Sequence, residues 1–155
     1  MRRIALTPIT PEVFAPFGVL VTIPPGVARV NFTAPVENLR AHARANLAMV
    51  HPPVTQLPLR IELMERHQFS TQAFIPLGGV QAVLLVAPGG DDGPDLDAAM
   101  AFLVSGDIGF SYHVGVWHTG MATLAQAGAM AMLVHEDGSA DDTEFRAVLP
   151  TEVIS

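Results

Sequence analysis

Short apolar runs bounded by Gly, Pro, Asp or Asn recur along this chain, and their length suits strands better than helices. GVLVTI (18–23), NLAMV (46–50), LRIELME (59–65), TQAFIPL (71–77), VQAVLLVA (80–87), AMAMLV (129–134) and FRAVL (145–149) are each predicted as strands. Leu59, Ile61 and Leu63 alternate with Arg60, Glu62 and Met64, which predicts one buried and one wetter face. Thr10-Pro11-Glu12 has the order of an N-cap, a first-turn proline and a first-turn acid, so a short helix is expected up to Phe17, stopped by Gly18. A second helix is predicted from Asp95-Leu96-Asp97 through Leu103, with acids at its start and Gly106 at its end. Val36 to Ala45 is left open: Val36, Leu39 and Ala43 fall on one helical side and Arg40 and Arg44 on another, yet a β sandwich would want a strand there. GGDDGPD (89–95) and EDGSADD (136–142) read as solvated turns. The pattern is that of a mainly β sandwich or barrel with one or two short helices, a single domain over residues 1–155.

Composition narrows this further. Half of the 155 residues are hydrophobic, enough for a packed core, and thirteen Gly with thirteen Pro argue against a helical bundle. The eight basic residues are all Arg, and against fifteen acids they leave a formal charge of -7. Nucleic acid and anionic membrane are therefore not expected partners, since both need a positive field. Without cysteine, disulfides, thiolate metal sites and a cysteine nucleophile are excluded, so a metal would have to use His, Asp, Glu or water. The apolar run in MRRIALTPIT is too short for a signal peptide, and no stretch is long enough to span a bilayer, so a cytoplasmic location is expected.

Candidate chemistry gathers in two places. In Glu65-Arg66-His67, side chains at i and i+2 of a strand share a face, and Gln72 on the next strand could oppose them. That set suits a metal or an oxyanion; its bland counterpart is a strand end with an ordinary ion pair. In Tyr112-His113-Val114-Gly115-Val116-Trp117-His118, two histidines, the single tyrosine and the single tryptophan lie close together. If 114–118 is extended, Val114, Val116 and His118 share one face, so His118 could project into a barrel. His42, His51 and His135 read as ordinary histidines. Ser70 lacks a nucleophile elbow, and there is no Gly-rich phosphate loop and no H-E-x-x-H.

Glu65-Arg66-His67, then Thr71-Gln72-Ala73-Phe74-Ile75-Pro76-Leu77, Pro94-Asp95-Leu96, Ala101-Phe102-Leu103, Gly106, Gly109, Tyr112-His113 and Gly115-Val116-Trp117-His118 stand in a linked order. In this set, and in the opening PITPEVFAPFG, the chain resembles the ureidoglycolate lyase family of cupin fold. The resemblance implies a cupin-type double-stranded β-helix, or jelly-roll barrel. It also implies cleavage of ureidoglycolate to glyoxylate and urea in allantoin and purine catabolism. The first cupin metal motif falls on Glu65, His67 and Gln72 and the second on His118; nickel is the ion implied by resemblance, with manganese or zinc also suited to the donors. The chain departs from the family pattern at Asn31-Phe32, where the family has Arg-Phe, and at Glu136-Asp137, where it tends to have Asp-Arg.

Collapse of a carbinol-urea adduct needs a base, an acid and a partner for the carboxylate, but no nucleophile. His118 is the expected base, Tyr112 or His113 the acid, and Glu65 and His67 orient the substrate or a metal. Gln72, Arg66, Arg29 and Trp117 are the expected substrate contacts. The implied partners are a small anionic substrate and a second copy of the chain in a homodimer. The other readings are a cupin enzyme acting on a related ureido or 2-hydroxy acid, and a non-catalytic cupin that binds a small acid.

Overall fold

The computed structural model describes residues 1–33, 36–90 and 92–155. Its strands are β1 (Arg2–Pro8), β2 (Gly18–Val21), β3 (Arg44–Val50), β4 (Val54–Thr55), β5 (Leu59–Arg66), β6 (Gln72–Pro76), β7 (Gly79–Ala87), β8 (Gly89–Gly90), β9 (Gly93–Pro94), β10 (Met100–Gly106), β11 (Gly109–Tyr112), β12 (Trp117–His118), β13 (Ala122–Leu124), β14 (Met130–Glu136) and β15 (Glu144–Ile154). Helix is confined, among the described residues, to α1 (Pro11–Phe14) and a 3-10 turn at Ala140–Asp142. None of these helices is long and apolar enough to cross a membrane.

The larger sheet has the order β10-β1-β15-β5-β12-β7-β13-β4, and an extra pairing of β10 with β7 closes part of it into a barrel. The second sheet has the order β2-β11-β6-β14-β3 and lies against that barrel wall. Strand β7 sits at the junction and explains the continuous apolar run VQAVLLVA. Its Val80, Ala82, Leu84 and Val86 pack with Phe14, Phe74, Phe110 and Tyr112 between the sheets. Its Val83, Leu85 and Ala87 pack with Ile61, Met64, Trp117 and Val153 inside the barrel. A strand buried on both faces has no polar positions to alternate with.

The mainly β expectation and the seven predicted strands hold, with shifted ends. The helix expected from Asp95 to Leu103 does not form. Asp95 Oδ1 instead accepts the backbone N–H groups of Asp97 and Ala98, an Asx turn that uses the same residue types as a helix cap. Met100–Gly106 is strand, because Phe102 and Val104 pack between the sheets while Ala101 and Leu103 pack inside the barrel. The first helix ends at Phe14, earlier than expected, with Thr10 capping Val13 N. The open segment forms neither helix nor long strand: Asn38 makes an isolated bridge to Ser70, and Arg44 already belongs to β3. Residues 89–95 include a small β8–β9 hairpin; Asp91 lies outside the described residues. The alternation expected along β5 also slips. Ile61 and Met64 both face the barrel interior while Leu63 is exposed, opposite the point where pairing with β15 shifts register between Ala147 and Thr151.

Double burial of β7 makes a direct prediction. Leu84→Ala and Leu85→Ala, on opposite faces, should each lower stability by about 2–5 kcal/mol, whereas Leu63→Ala should cost less than about 0.5 kcal/mol. Denaturant melts of the three variants check it; a small effect for either Leu84→Ala or Leu85→Ala would mean that one face of β7 is not core.

Candidate active site

Slippage in β5 decides which way the Glu65-Arg66-His67 segment points. Met64 lies inside the barrel, so its neighbours Leu63 and Glu65 turn to the other face, Leu63 to solvent and Glu65 toward His118. Strand β12 meets β5 through the His118–Glu65 pair and β7 through His118–Val86 and Trp117–Ala87. Trp117 therefore joins the barrel-interior cluster, and His118 is directed to the opposite face with Glu65.

Three donors converge there. Ligand atoms of Glu65, His67 and His118 all lie within 4.8 Å of one another. The two imidazole rings stack at 5.6 Å, and the Tyr112 ring stacks on His118 at 4.0 Å. His67 Nδ1 donates to the Asp142 carbonyl at 2.9 Å and His118 Nδ1 donates to the Val116 carbonyl at 3.0 Å. Each ring is thereby held as the tautomer whose Nε2 carries a lone pair, and both Nε2 atoms are buried without a hydrogen-bond partner. His118 Nε2 lies 3.5 Å from Glu65 Oε1, too long for a good hydrogen bond but close enough for strong attraction once a cation or proton lies between them.

Gln72 is the cross-strand partner of Tyr112 and so shares its inward face. Its Nε2 donates to Met132 Sδ at 3.3 Å, while its Oε1 is buried and unpartnered, as is the Tyr112 hydroxyl. Four unpartnered polar atoms and a carboxylate facing one space form a donor set that fits a borderline divalent ion. The ligands would be Glu65, His67 and His118, and the amide oxygen of Gln72 faces the same space.

Burial shapes the titration of this cluster. It disfavours the charged form of Glu65, but the nearness of His118, with a smaller contribution from His67, outweighs it and holds the carboxyl below its ordinary value. Burial, aided by the neighbouring His118, lowers His67, and the bond to the Asp142 carbonyl only partly opposes this. Burial, with a smaller contribution from the Glu65 charge, raises the Tyr112 phenol well above its ordinary value, so it stays protonated.

The other expected site residues lie elsewhere. Arg66 is on the barrel face of β5, ion-paired to Glu144 at 2.7 Å and lying over the Trp117 ring at 4.6 Å. Neither Arg66 nor Trp117 joins the triad, because adjacent strand residues point to opposite faces. His113 is exposed and its ring bonds the Ala15 carbonyl. Arg29 is exposed and bonds Asn31.

Residues absent from the expected set complete the surroundings. Phe145 is the cross-strand partner of Glu65 and is 58% exposed, so it forms an apolar rim on the side where the site meets solvent. The run 136–142 is an exposed turn over 137–141, as expected, but two of its acid side chains are committed inward. Arg40, stacked over Phe69, ion-pairs with Asp137 and Asp142, whose side chains are largely covered. Asp142 in turn accepts the backbone N–H groups of Asp137 and Gly138, and its own carbonyl holds His67. Four of these residues, Arg40, His67, Asp137 and Asp142, are scattered in sequence, so only the fold could reveal their connection.

The ureidoglycolate lyase family model matches residues 1–154. This chain belongs to the ureidoglycolate lyase family. It is 33% identical to a ureidoglycolate lyase of Pseudomonas aeruginosa over 153 residues, covering 93% of this chain and 89% of the relative. It is 33% identical to that of Pseudomonas syringae pv. syringae over 133 residues, with 80% and 78% covered, and 31% identical to that of Pseudomonas entomophila over 153 residues, with 93% and 90% covered. Membership in the ureidoglycolate lyase family agrees with the β-barrel and with the inward-facing Glu65, His67 and His118.

Arg40 should tune this triad through the Asp142 carbonyl. Arg40→Ala is expected to weaken nickel binding by about tenfold to a hundredfold, with Arg40→Lys recovering part of the loss. Since His67 must be neutral to bind and its folded-state value is lowered, wild-type affinity should hold at pH 7 and fall only below the ordinary histidine value of about 6.5. Calorimetric nickel titrations from pH 5 to 8 check both; unchanged affinity in folded Arg40→Ala would separate Arg40 from the triad.

Proposed function

We propose that the protein is a ureidoglycolate lyase, converting ureidoglycolate to glyoxylate and urea. The observation that carries this is the cluster of two lone-pair-bearing imidazoles and an ionised carboxylate beside a protonated phenol, in a chain matched along nearly its whole length by the family. The substrate is a small anion of allantoin and purine catabolism, and the reaction belongs to the cytoplasm.

Each step has a group suited to it. His118 Nε2 takes the proton of the substrate's hydroxyl, and the Glu65 carboxylate beside it stabilises the imidazolium. The freed electron pair forms the aldehyde carbonyl of glyoxylate as the C–N bond breaks. The departing urea nitrogen receives a proton from Tyr112, whose buried hydroxyl has no other partner, and the proton held by the His118 imidazolium returns to Tyr112 so that both groups are restored. Gln72 Oε1 accepts a ureido N–H. No water enters the products. A divalent ion held by Glu65, His67 and His118, nickel by resemblance, would supply Lewis-acid polarisation of the substrate's oxygens, and it would take the His118 lone pair that otherwise serves as base.

The protein is also proposed to pair with a second copy. Leu47 and Met49, 73% and 63% exposed, stand with Ile75 on the face of the second sheet turned away from the barrel. The edge strand β3 borders the same face, and stacking two such faces would remove this apolar surface from water.

Release of glyoxylate and urea from ureidoglycolate, corrected for spontaneous decay, tests the reading on metal-stripped and on nickel- or manganese-loaded protein. Equimolar products well above decay are expected, and His118→Ala should lower turnover at least about 100-fold while keeping the fold. No release in either form would overturn the lyase and direct the search to related ureido and 2-hydroxy acids. Activity seen only with added metal would make the two imidazoles ligands and remove His118 as base.

A further inference from the structure

An anionic substrate brought to Glu65 needs a local cation, since the chain as a whole carries a formal charge of -7. All positive side chains of fixed charge are arginines, and their placements can be followed one by one. Arg2 pairs with Asp97, Arg3 with Glu152 and Arg60 with Glu62. Arg40 pairs with Asp137 and Asp142, and both Arg66 and Arg146 pair with Glu144. Arg29 bonds Asn31 on an irregular segment. Arg44 alone has neither an ion pair nor a side-chain hydrogen bond among the described residues.

Arg44 lies on the inward face of the second sheet. Tyr112, Gln72, Val134 and Asn46 are successive cross-strand partners across β11, β6, β14 and β3, so they share the face that Tyr112 presents to His118. Two residues along, on that same face, Glu136 partners Arg44. This end of the sheet is also the His67 end, because β14 runs from Glu136 directly into the turn whose Asp142 carbonyl holds His67. Glu136 does not occupy Arg44; its carboxylate accepts a hydrogen bond from Asn46 Nδ2 at 2.8 Å.

We propose that Arg44 is the cation that seats the substrate's carboxylate, on the rim of the site opposite Glu65. This rests on the lyase reading of the same site. Arg44 stands on the inward face of the exposed edge strand, and a guanidinium offers parallel donors that match a carboxylate. The carboxylate end of the substrate is then held on the second sheet, leaving its hydroxyl and C–N bond toward His118 and Tyr112. Such an anchor acts equally on bound substrate and transition state, so its loss should appear in KM more than in kcat.

Two measurements keep this anchor and the lyase reading separately testable. In turnover, Arg44→Ala should raise KM for ureidoglycolate by about tenfold to a hundredfold with kcat changed less than about threefold, Arg44→Lys should recover part of it, and Arg60→Ala on the outer surface should match wild type. In calorimetry, wild-type protein should bind oxalurate, which keeps the carboxylate and ureido groups, more tightly than its neutral amide oxaluramide. Arg44→Ala should abolish that preference while leaving oxaluramide affinity and the melting temperature unchanged. An oxalurate preference that survives in Arg44→Ala, or wild-type protein that shows none, overturns the anchor even if turnover is confirmed. Absence of turnover with an Arg44-dependent oxalurate preference would instead keep the anchor and overturn the lyase.

Discussion

Strand β12 is two residues long, and the rest of the site depends on how it is held. It pairs with β5 on one edge and with β7 on the other, closing the barrel at this point. Because neighbouring strand residues face opposite ways, the same pairing that drives Trp117 into the barrel core forces His118 out toward the second sheet. The apolar burial of Trp117 therefore fixes the position of the imidazole that follows it, on the opposite face of the strand. Arg66 and Glu65 repeat the arrangement on β5, with the guanidinium lying over Trp117 and the carboxylate beside His118. One ladder thus carries a packing face and a chemical face.

That chemical face is left electrostatically incomplete. Both histidines spend Nδ1–H on backbone carbonyls, which orients the rings but leaves two buried lone pairs toward an ionised carboxylate. Unpartnered buried polar atoms normally cost stability. Here two gather in one place, with Tyr112 and Gln72 adding two more, so their cost falls where a proton, a cation or a substrate can recover it.

Much of this was legible in sequence because it depends on local spacing. The strand lengths, the shared face of Glu65 and His67 and the inward direction of His118 all follow from a period of two. What escaped depends on contacts distant in sequence. Asp95 has the residue context of a helix cap but serves an Asx turn, because Phe102 and Leu103 are needed on opposite faces of one strand. Arg66 and Trp117 looked like site residues by proximity in sequence, and the pleat places them on the face opposite the triad. Arg40 sits ninety-five residues or more from the carbonyl and carboxylate it binds at His135 and Asp142, a distance no motif bridges.

The departure from the family pattern at Glu136-Asp137 has a structural counterpart rather than a void. Asp137 ties to Arg40 and to His42, and Glu136 accepts from Asn46, so both acids are committed within the fold. A turn rich in acid would ordinarily be solvated and loose. This one is drawn around a single guanidinium, and its last residue presents a carbonyl to His67. Of the two acids that look like a loss of positive charge near the site, Asp137 helps hold, through Arg40, the turn whose Asp142 carbonyl aims one of its imidazoles. The positive charge on this side is supplied by Arg44, the cross-strand partner of Glu136, on an edge strand open to solvent. The same sheet end therefore separates two tasks between two strands: β14 and its turn orient the triad, and β3 faces the incoming anion.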